Sequence, residues 1–195
     1  MPRPLIPERR RRILDAAEDL VLADGFDRMS VQEIADRAGI AKGSVYREFD
    51  SKTAVLEGLL DRSMARMTEA AAVRLADEDP PRLSRAYAVG AEVLLEDPLM
   101  TAAFLDDRGV LGSYVDTVTD DRYRRRHRDV VNWIRTLQQQ GSLAGSVDAE
   151  GLGLALSSTT LGLLDAARRL GPLDRDQLRA AIAAMAELLA GLERA

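Results

Sequence analysis

The chain has 195 residues, of which 46% are hydrophobic and 30% charged, with a formal net charge of -5, one histidine and no cysteine. That is ample apolar material for one large or two small cores, and the missing cysteine excludes disulfides, thiol nucleophiles and thiolate metal sites while fitting a reducing cytoplasm. Aromatics make up only 4%, Ala, Leu, Arg, Asp and Glu dominate, and no stretch alternates β-branched with polar residues, so the fold class is all-α.

The opening segment, MPRPLIPERRRR, is broken by Pro2, Pro4 and Pro7 and has no apolar run of signal-peptide length. The longest charge-free run, Gly151 to Leu164, is 14 residues and interrupted by Ser and Thr, so no membrane span is expected and a cytoplasmic location is. Arg10 to Ala23 then carries Ile13, Leu14, Ala17, Leu20 and Val21 at spacings of three and four, an amphipathic helix with Gly25 just past its end. Ser30 opens a second helix with Glu33 three residues later, the pattern of a capping box, and Val31, Ile34, Ala35 and Ala38 form its inner stripe. Gly39 is placed for a left-handed turn, after which a short helix from about Ala41 to Arg47 turns Val45 inward, with Phe49 inward beyond its end. Ser51 is an N-cap candidate for a long fourth helix to roughly Ala76.

Asp79-Pro80-Pro81 breaks the chain, and a helix should restart near Arg82 and stop at Asp97-Pro98, which opens a short helix ending near Asp107. Arg108 to Ser113 reads as a loop. A long helix follows from about Asp116 to Gln140, ended by Gly141, and Asp148 and Asp174 cap two last helices, for about nine in all. This divides the chain into a three-helix helix-turn-helix head, 1–52, and a helical body, 53–195, with the fourth helix, about 51–76, linking them.

Charge is distributed unevenly. Residues 1 to 14 hold five Arg against one acid (+4), residues 15 to 36 hold one Arg against seven acids (-6), and residues 37 to 52 hold four bases against two acids (+2). Two basic islands flank an acidic middle, as expected if the entry to the first helix and the third helix face a polyanion. On the third helix Lys42 and Tyr46 share a face, as do Gly43 and Arg47, with Ser44 between. Such a helix can lie in the major groove, where Lys, Arg and Ser reach base edges or phosphates and glycine lets the backbone approach. A solvated face on an ordinary three-helix bundle is the plainer alternative. Arg9, Arg10, Arg11 and Arg12 read either as backbone contacts to DNA or as a solubilising tail.

These residues also carry a resemblance. Arg12-Ile13-Leu14-Asp15-Ala16-Ala17, Gly25-Phe26, Ser30-Val31, Ile34-Ala35, Ala38-Gly39, Lys42-Gly43-Ser44-Val45-Tyr46, Phe49 and Ser51-Lys52 resemble the tetracycline-repressor (TetR) family of bacterial transcription regulators over the first quarter of the chain. The resemblance implies that Tyr46, Lys52 and Ser30 contact phosphates and that Lys42, Ser44 and Arg47 read bases. It also implies an effector cavity among helices 4 to 8 and a homodimer. Glu48 and Asp50 depart from the family pattern and bring negative charge near the phosphates, which would make affinity modest or strongly salt-dependent.

In the body, His127 lies four residues after Tyr123 and before Val130, Val131, Ile134 and Leu137, on an inward stripe. With Met64, Met67, Tyr87, Phe104 and Trp133 on other inner faces, His127 and Tyr123 could supply the polar groups of an apolar effector cavity; a hydrogen-bonded core histidine explains the same pattern. Arg122, Arg124, Arg125, Arg126 and Arg128 are interleaved with Asp116, Asp120, Asp121 and Asp129, so mutual ion pairing accounts for them as well as a second nucleic-acid surface does. In the last two helices Leu152, Leu156 and Leu163 lie along one side of the first and Leu178, Ile182, Met185 and Leu189 along one side of the second. Small neighbours such as Gly153 allow close approach, which suits a four-helix dimer interface, although one stripe could be satisfied within the monomer.

The sequence thus implies a ligand-responsive DNA-binding regulator, a repressor released from a pseudo-palindromic double-stranded operator by an apolar or amphipathic small molecule. It implies no enzyme activity, metal or cofactor. One histidine cannot furnish a di-iron site and no strand precedes a phosphate loop. The rival is a helical small-molecule-binding protein or enzyme whose head does not bind DNA.

Overall fold

The computed structural model describes residues 8–104, 107–117, 121–169 and 175–193. Within them the chain forms α1 (Arg9–Asp24), α2 (Val31–Ala38), α3 (Lys42–Val45), α4 (Lys52–Arg74), α5 (Leu83–Glu96), α6 (Pro98–Phe104), α7 (Arg108–Leu111), a 3₁₀ turn (Gly112–Thr117), α8 (Asp121–Gln139), α9 (Ala149–Arg169) and α10 (Arg175–Ala190). No strand occurs among the described residues, only an isolated bridge between Leu143 and Glu193. The backbone gathers into two compact units, Met1–Arg66 with Pro98–Val118 and Met67–Asp97 with Thr119–Ala195. The side chains of Phe104, Arg122, Tyr123, Arg125, Arg126 and Leu163, and residue Asp174, lie outside the described residues.

The first unit is built around Ile13, Ala17, Val21, Ile34, Ala35, Val45, Val55, Leu56 and Leu59, all fully buried. Each such Ile, Leu or Val contributes roughly 1.5–3 kcal/mol of burial, so this core fixes the three-helix head firmly. Helix ends are set locally. Gly25 (φ 81°) ends α1, with its N–H donating to Val21 O. The Ser30 hydroxyl accepts from Glu33 N while the Glu33 carboxylate accepts from Ser30 N, a complete capping box on α2. Gly39, at φ 63° and ψ 40°, makes the left-handed turn that only glycine adopts without steric cost. Ser51 Oγ accepts from Ala54 N at 3.0 Å and opens α4.

Two elements differ from expectation. The 108–113 segment is not a loop: the Asp107 carboxylate accepts from Gly109 N at 2.8 Å, and Asp107 O accepts from Val110 and Leu111, nucleating α7 and then the 3₁₀ turn. Leu111, Tyr114 and, from α6, Leu99 and Ala103 are buried in the head's core, so this later stretch of chain completes the first unit. Helix α3 is shorter than expected. Ala41, at its N-cap, offers no side-chain acceptor, and Val45 O accepts from both Glu48 and Phe49, so residues 46–48 continue as a turn.

In the second unit α5 packs on α10 and α8 on α9 around Leu83, Val131, Ile134, Leu137, Leu143, Leu156 and Leu189. Gly153 lets α9 come close to α8, because a Cβ there would lie 2.6 Å from Val131 Cγ2. Asp148 caps α9 by accepting from Gly151 N at 2.9 Å.

Candidate nucleic-acid interface

Helix α3 is anchored from beneath by Val45, fully buried, and just past its end by Phe49, also buried. That anchoring turns the opposite face outward: Lys42, Gly43, Tyr46 and Arg47 are exposed and Ser44 is half-exposed, with Tyr46 at 48%. The side chains of Lys42, Tyr46 and Arg47 have no hydrogen bond or ion pair to any described residue, so their donors are available. A Cβ built on Gly43 would meet nothing within 4 Å, so the protein's own packing does not require glycine there.

The remaining cations of the head are arranged differently. Arg9, only 11% exposed at its side chain, pairs with the Glu48 carboxylate at 3.3 Å, while its buried Nε has no hydrogen-bond partner among the described residues. Arg10 lies over the Phe49 ring at 4.3 Å and donates to Glu48 O. Arg12 donates to Ala38 O, at the carbonyl end of α2 where a cation is favoured. Arg11 is the outlier, exposed and, among the described residues, bonded only to Glu8, at 2.8 Å. Lys52 Nζ donates to Phe26 O, Asp27 O and Met29 O at 3.1, 3.2 and 3.3 Å and stands 4.4 Å above the Phe26 ring. Glu48 is thus a local counterion for Arg9, whereas Asp50 is exposed.

Two networks could not be read from sequence. Asp15 and Glu18 on α1 accept from Arg62 at 2.6 Å each, and Glu18 also accepts from Arg66 at 2.6 Å, a ladder joining α1 to α4. The Arg66 hydrogen bond, aided by the Arg66 and Arg62 charges and opposed by desolvation, holds Glu18 below the usual carboxylate range. Asp27 accepts from Ser113 Oγ at 2.6 Å and Ser113 N at 3.0 Å, and these bonds, the hydroxyl foremost, lower its pKa. Their partners lie 44 to 86 residues away, and no local pattern could have signalled them.

The described residues expected to line an effector cavity fall in both units. Met64 is exposed and belongs to the first unit; Met67 is buried and belongs to the second. Tyr87 and Trp133 are half-buried against the second unit's core. His127 is one-third exposed, its Nε2 lies 3.8 Å from Glu150 Oε2, and its buried Nδ1 has no hydrogen-bond partner among the described residues. A cleft of about 380 Å³ in the first unit, lined by Asp24, Asp27, Arg28, Arg108 and neighbouring backbone, contains none of them.

The stripe assigned to dimerisation faces inward. Leu156, Ile182 and Leu189 are buried and Leu152, Leu178 and Met185 half-buried within a single chain. The opposite sides of the same helices expose Leu154 at 60% and Leu188 at 70%, among small residues such as Ala155 and Ala184. Both faces of α9 and α10 are apolar or small, so periodicity alone does not say which one meets the chain's own core.

Residues 13–59 match the family model of the bacterial regulatory proteins, tetR family. The HTH-type transcriptional repressor KstR of Mycobacterium tuberculosis is 40% identical over 60 residues, covering 31% of this chain and 27% of that protein. KstR of Rhodococcus jostii is 32% identical over 102 residues, covering 49% and 45%. The chain therefore spans less than half the length of either. The fold is shared with the transcriptional regulator FadR from Bacillus subtilis, solved in complex with stearoyl-CoA, at a TM-score of 0.68 and 17% identity over 92% of this chain and 96% of that one. The chain is thus similar to the tetR family of bacterial regulatory proteins over residues 13–59 of its head, and its described helices share the fold of FadR.

Proposed function

We propose that the protein is a ligand-responsive transcriptional regulator acting in the cytoplasm as a homodimer, its α3 helices entering successive major grooves of a pseudo-palindromic operator about 34 Å apart. One observation carries the reading: on α3 and the turn that follows it, both fixed by Val45 and Phe49, the cationic and hydroxyl side chains Lys42, Ser44, Tyr46 and Arg47 face outward beside Gly43, which internal packing does not demand. Ser30 and Arg11 are the best placed to add phosphate contacts. No step of this role calls for a catalytic group. Residues 53–195 would hold the effector and the dimer contacts, with α4 running from the head into that part.

The names of the related KstR repressors support repression as the sign of the response. The FadR fold, solved with stearoyl-CoA, supports an amphipathic effector with a long apolar portion. His127, whose buried Nδ1 has no hydrogen-bond partner among the described residues, is the candidate polar contact for it. For dimerisation, the exposed Leu154 and Leu188 on the small-residue faces of α9 and α10 are the favoured contacts, supported from beneath by Leu152, Leu156, Leu178, Ile182, Met185 and Leu189. Burying two such leucines per chain contributes roughly 3–6 kcal/mol per chain.

The test is selection of duplexes from a randomised pool. Wild-type protein is expected to recover an inverted-repeat sequence, and Lys42→Ala and Tyr46→Ala to lose it while remaining folded dimers. Full-strength recovery by both variants would remove the assigned reading face.

A further inference from the structure

Lys52 is the first residue of α4, where the positive end of the helix dipole opposes a cation unless carbonyl oxygens offset it. Three such oxygens are supplied by the loop between α1 and α2: those of Phe26, Asp27 and Met29, all within 3.3 Å of Nζ. An ammonium group has three N–H donors, so none remains for a phosphate oxygen. The same loop is held on its other side by the α7 region. Phe26 N donates to Val110 O at 2.8 Å, and the Asp27 carboxylate accepts from both Ser113 N and Ser113 Oγ. Gly25, at φ 81°, sits so close that a Cβ there would lie 2.5 Å from Gly109 O. The first residue of α4, six positions after Tyr46, is therefore hydrogen-bonded to a loop that is itself hydrogen-bonded to residues 110–113.

We propose that Lys52 and Asp27 are positioning residues for operator binding: Lys52 acts from inside the head, clamping the 26–29 loop to α4, and Asp27 extends the clamp to Ser113, so that the 109–113 segment governs the pose of α3 without touching DNA. This rests on the DNA-reading role proposed above. It departs from the phosphate contact that family resemblance assigns to Lys52, and the two differ in a measurable way. Each phosphate neutralised by a protein cation contributes about 0.9 to the slope of log affinity against log salt concentration. A clamp contributes nothing to that slope.

The experiment uses the full chain and its Lys52→Met, Asp27→Ala and Ser113→Ala variants. Amide exchange of Phe26 and Ser113 is first measured without DNA, and affinity for the duplex recovered by wild-type protein is then measured across salt concentrations. In Lys52→Met the Ser113 and Phe26 amides are expected to exchange about tenfold faster. Its affinity is expected to fall about tenfold with the salt slope unchanged. Asp27→Ala removes an acid from a DNA-binding head, which would raise affinity if only charge mattered; a fall, again at constant slope and shared by Ser113→Ala, supports the clamp. A slope lowered by about 0.9 in Lys52→Met with Ser113 exchange unchanged would make Lys52 a phosphate contact and overturn the proposal. Unchanged affinity in all three variants would overturn it as well. If wild-type protein recovers no duplex, the DNA-reading role fails, and the exchange data alone decide whether the clamp exists. Should Lys52→Met not fold, the two variants at the Ser113 end decide.

Discussion

The head holds two groups of cations that look alike in sequence and are used in opposite ways. Lys42 on α3 and Arg47 in the turn that follows it stand exposed, without partners among the described residues, whereas Arg9, Arg10, Arg12 and Lys52 are tied to the Glu48 carboxylate, the Phe49 and Phe26 rings and backbone carbonyl oxygens. The first group is available to a polyanion; the second shapes the surface that presents the first. The distinction lies in whether the nitrogen donors are already occupied, and formal charge does not reveal it. Glu48, which reads in sequence as an obstacle to DNA binding, serves within the head as the partner that fixes Arg9 and, through its carbonyl, Arg10.

The comparison can be broken most severely at the residue both groups depend on. Phe49 is buried beyond the end of α3 and carries Arg10 on its ring. Phe49→Ala is expected to cost about 3–5 kcal/mol in chemical denaturation and to abolish DNA binding with it. A variant that unfolds at the wild-type denaturant midpoint would show that α3 is not held from beneath.

A double dissociation sharpens the contrast. Arg47→Ala should weaken duplex binding by about 1–3 kcal/mol, roughly 5- to 150-fold, and leave thermal stability within about 0.5 kcal/mol of wild type. Arg12→Ala should do the reverse, costing about 1.5–3 kcal/mol of stability because the hydrogen bond from a charged donor to Ala38 O is lost. Equal stability losses in the two variants would erase the distinction.

The smallest effect concerns the α1–α4 ladder. Glu18 has its pKa lowered chiefly by the Arg66 hydrogen bond, so the folded state binds its proton more weakly than the unfolded chain. The stability this contributes is present above the ordinary carboxylate pKa of 4.5 and is lost as pH falls below it. Melting curves from pH 7 to pH 3 should therefore decline more steeply for wild type than for Glu18→Gln. Parallel curves would remove Glu18 from the acid response.

What was legible in the sequence was local. The capping box of Ser30 and Glu33, the left-handed Gly39, the Gly25 stop and the Ser51 cap each involve groups within four residues, where backbone geometry fixes who meets whom. The outward face of α3 was legible for the same reason. The destinations of the Arg9, Arg12 and Lys52 donors were not, since their partners lie 23 to 39 residues away. Helix α7 was hidden because its single cap, Asp107, sits in a stretch with little apolar periodicity. The orientation of α9 and α10 was hidden for a different reason: with apolar or small residues on both sides, the sequence identifies an apolar helix without saying which side its own chain covers.

The most direct measurement is the salt dependence of duplex binding by wild-type protein and Lys42→Ala,Arg47→Ala. Wild-type protein should bind its selected duplex with a steep negative slope of log affinity against log salt, and the double variant should lose most of that affinity while melting at the wild-type temperature. Equal affinities for the two proteins at every salt concentration would contradict the claim that the outward face of α3 reads DNA.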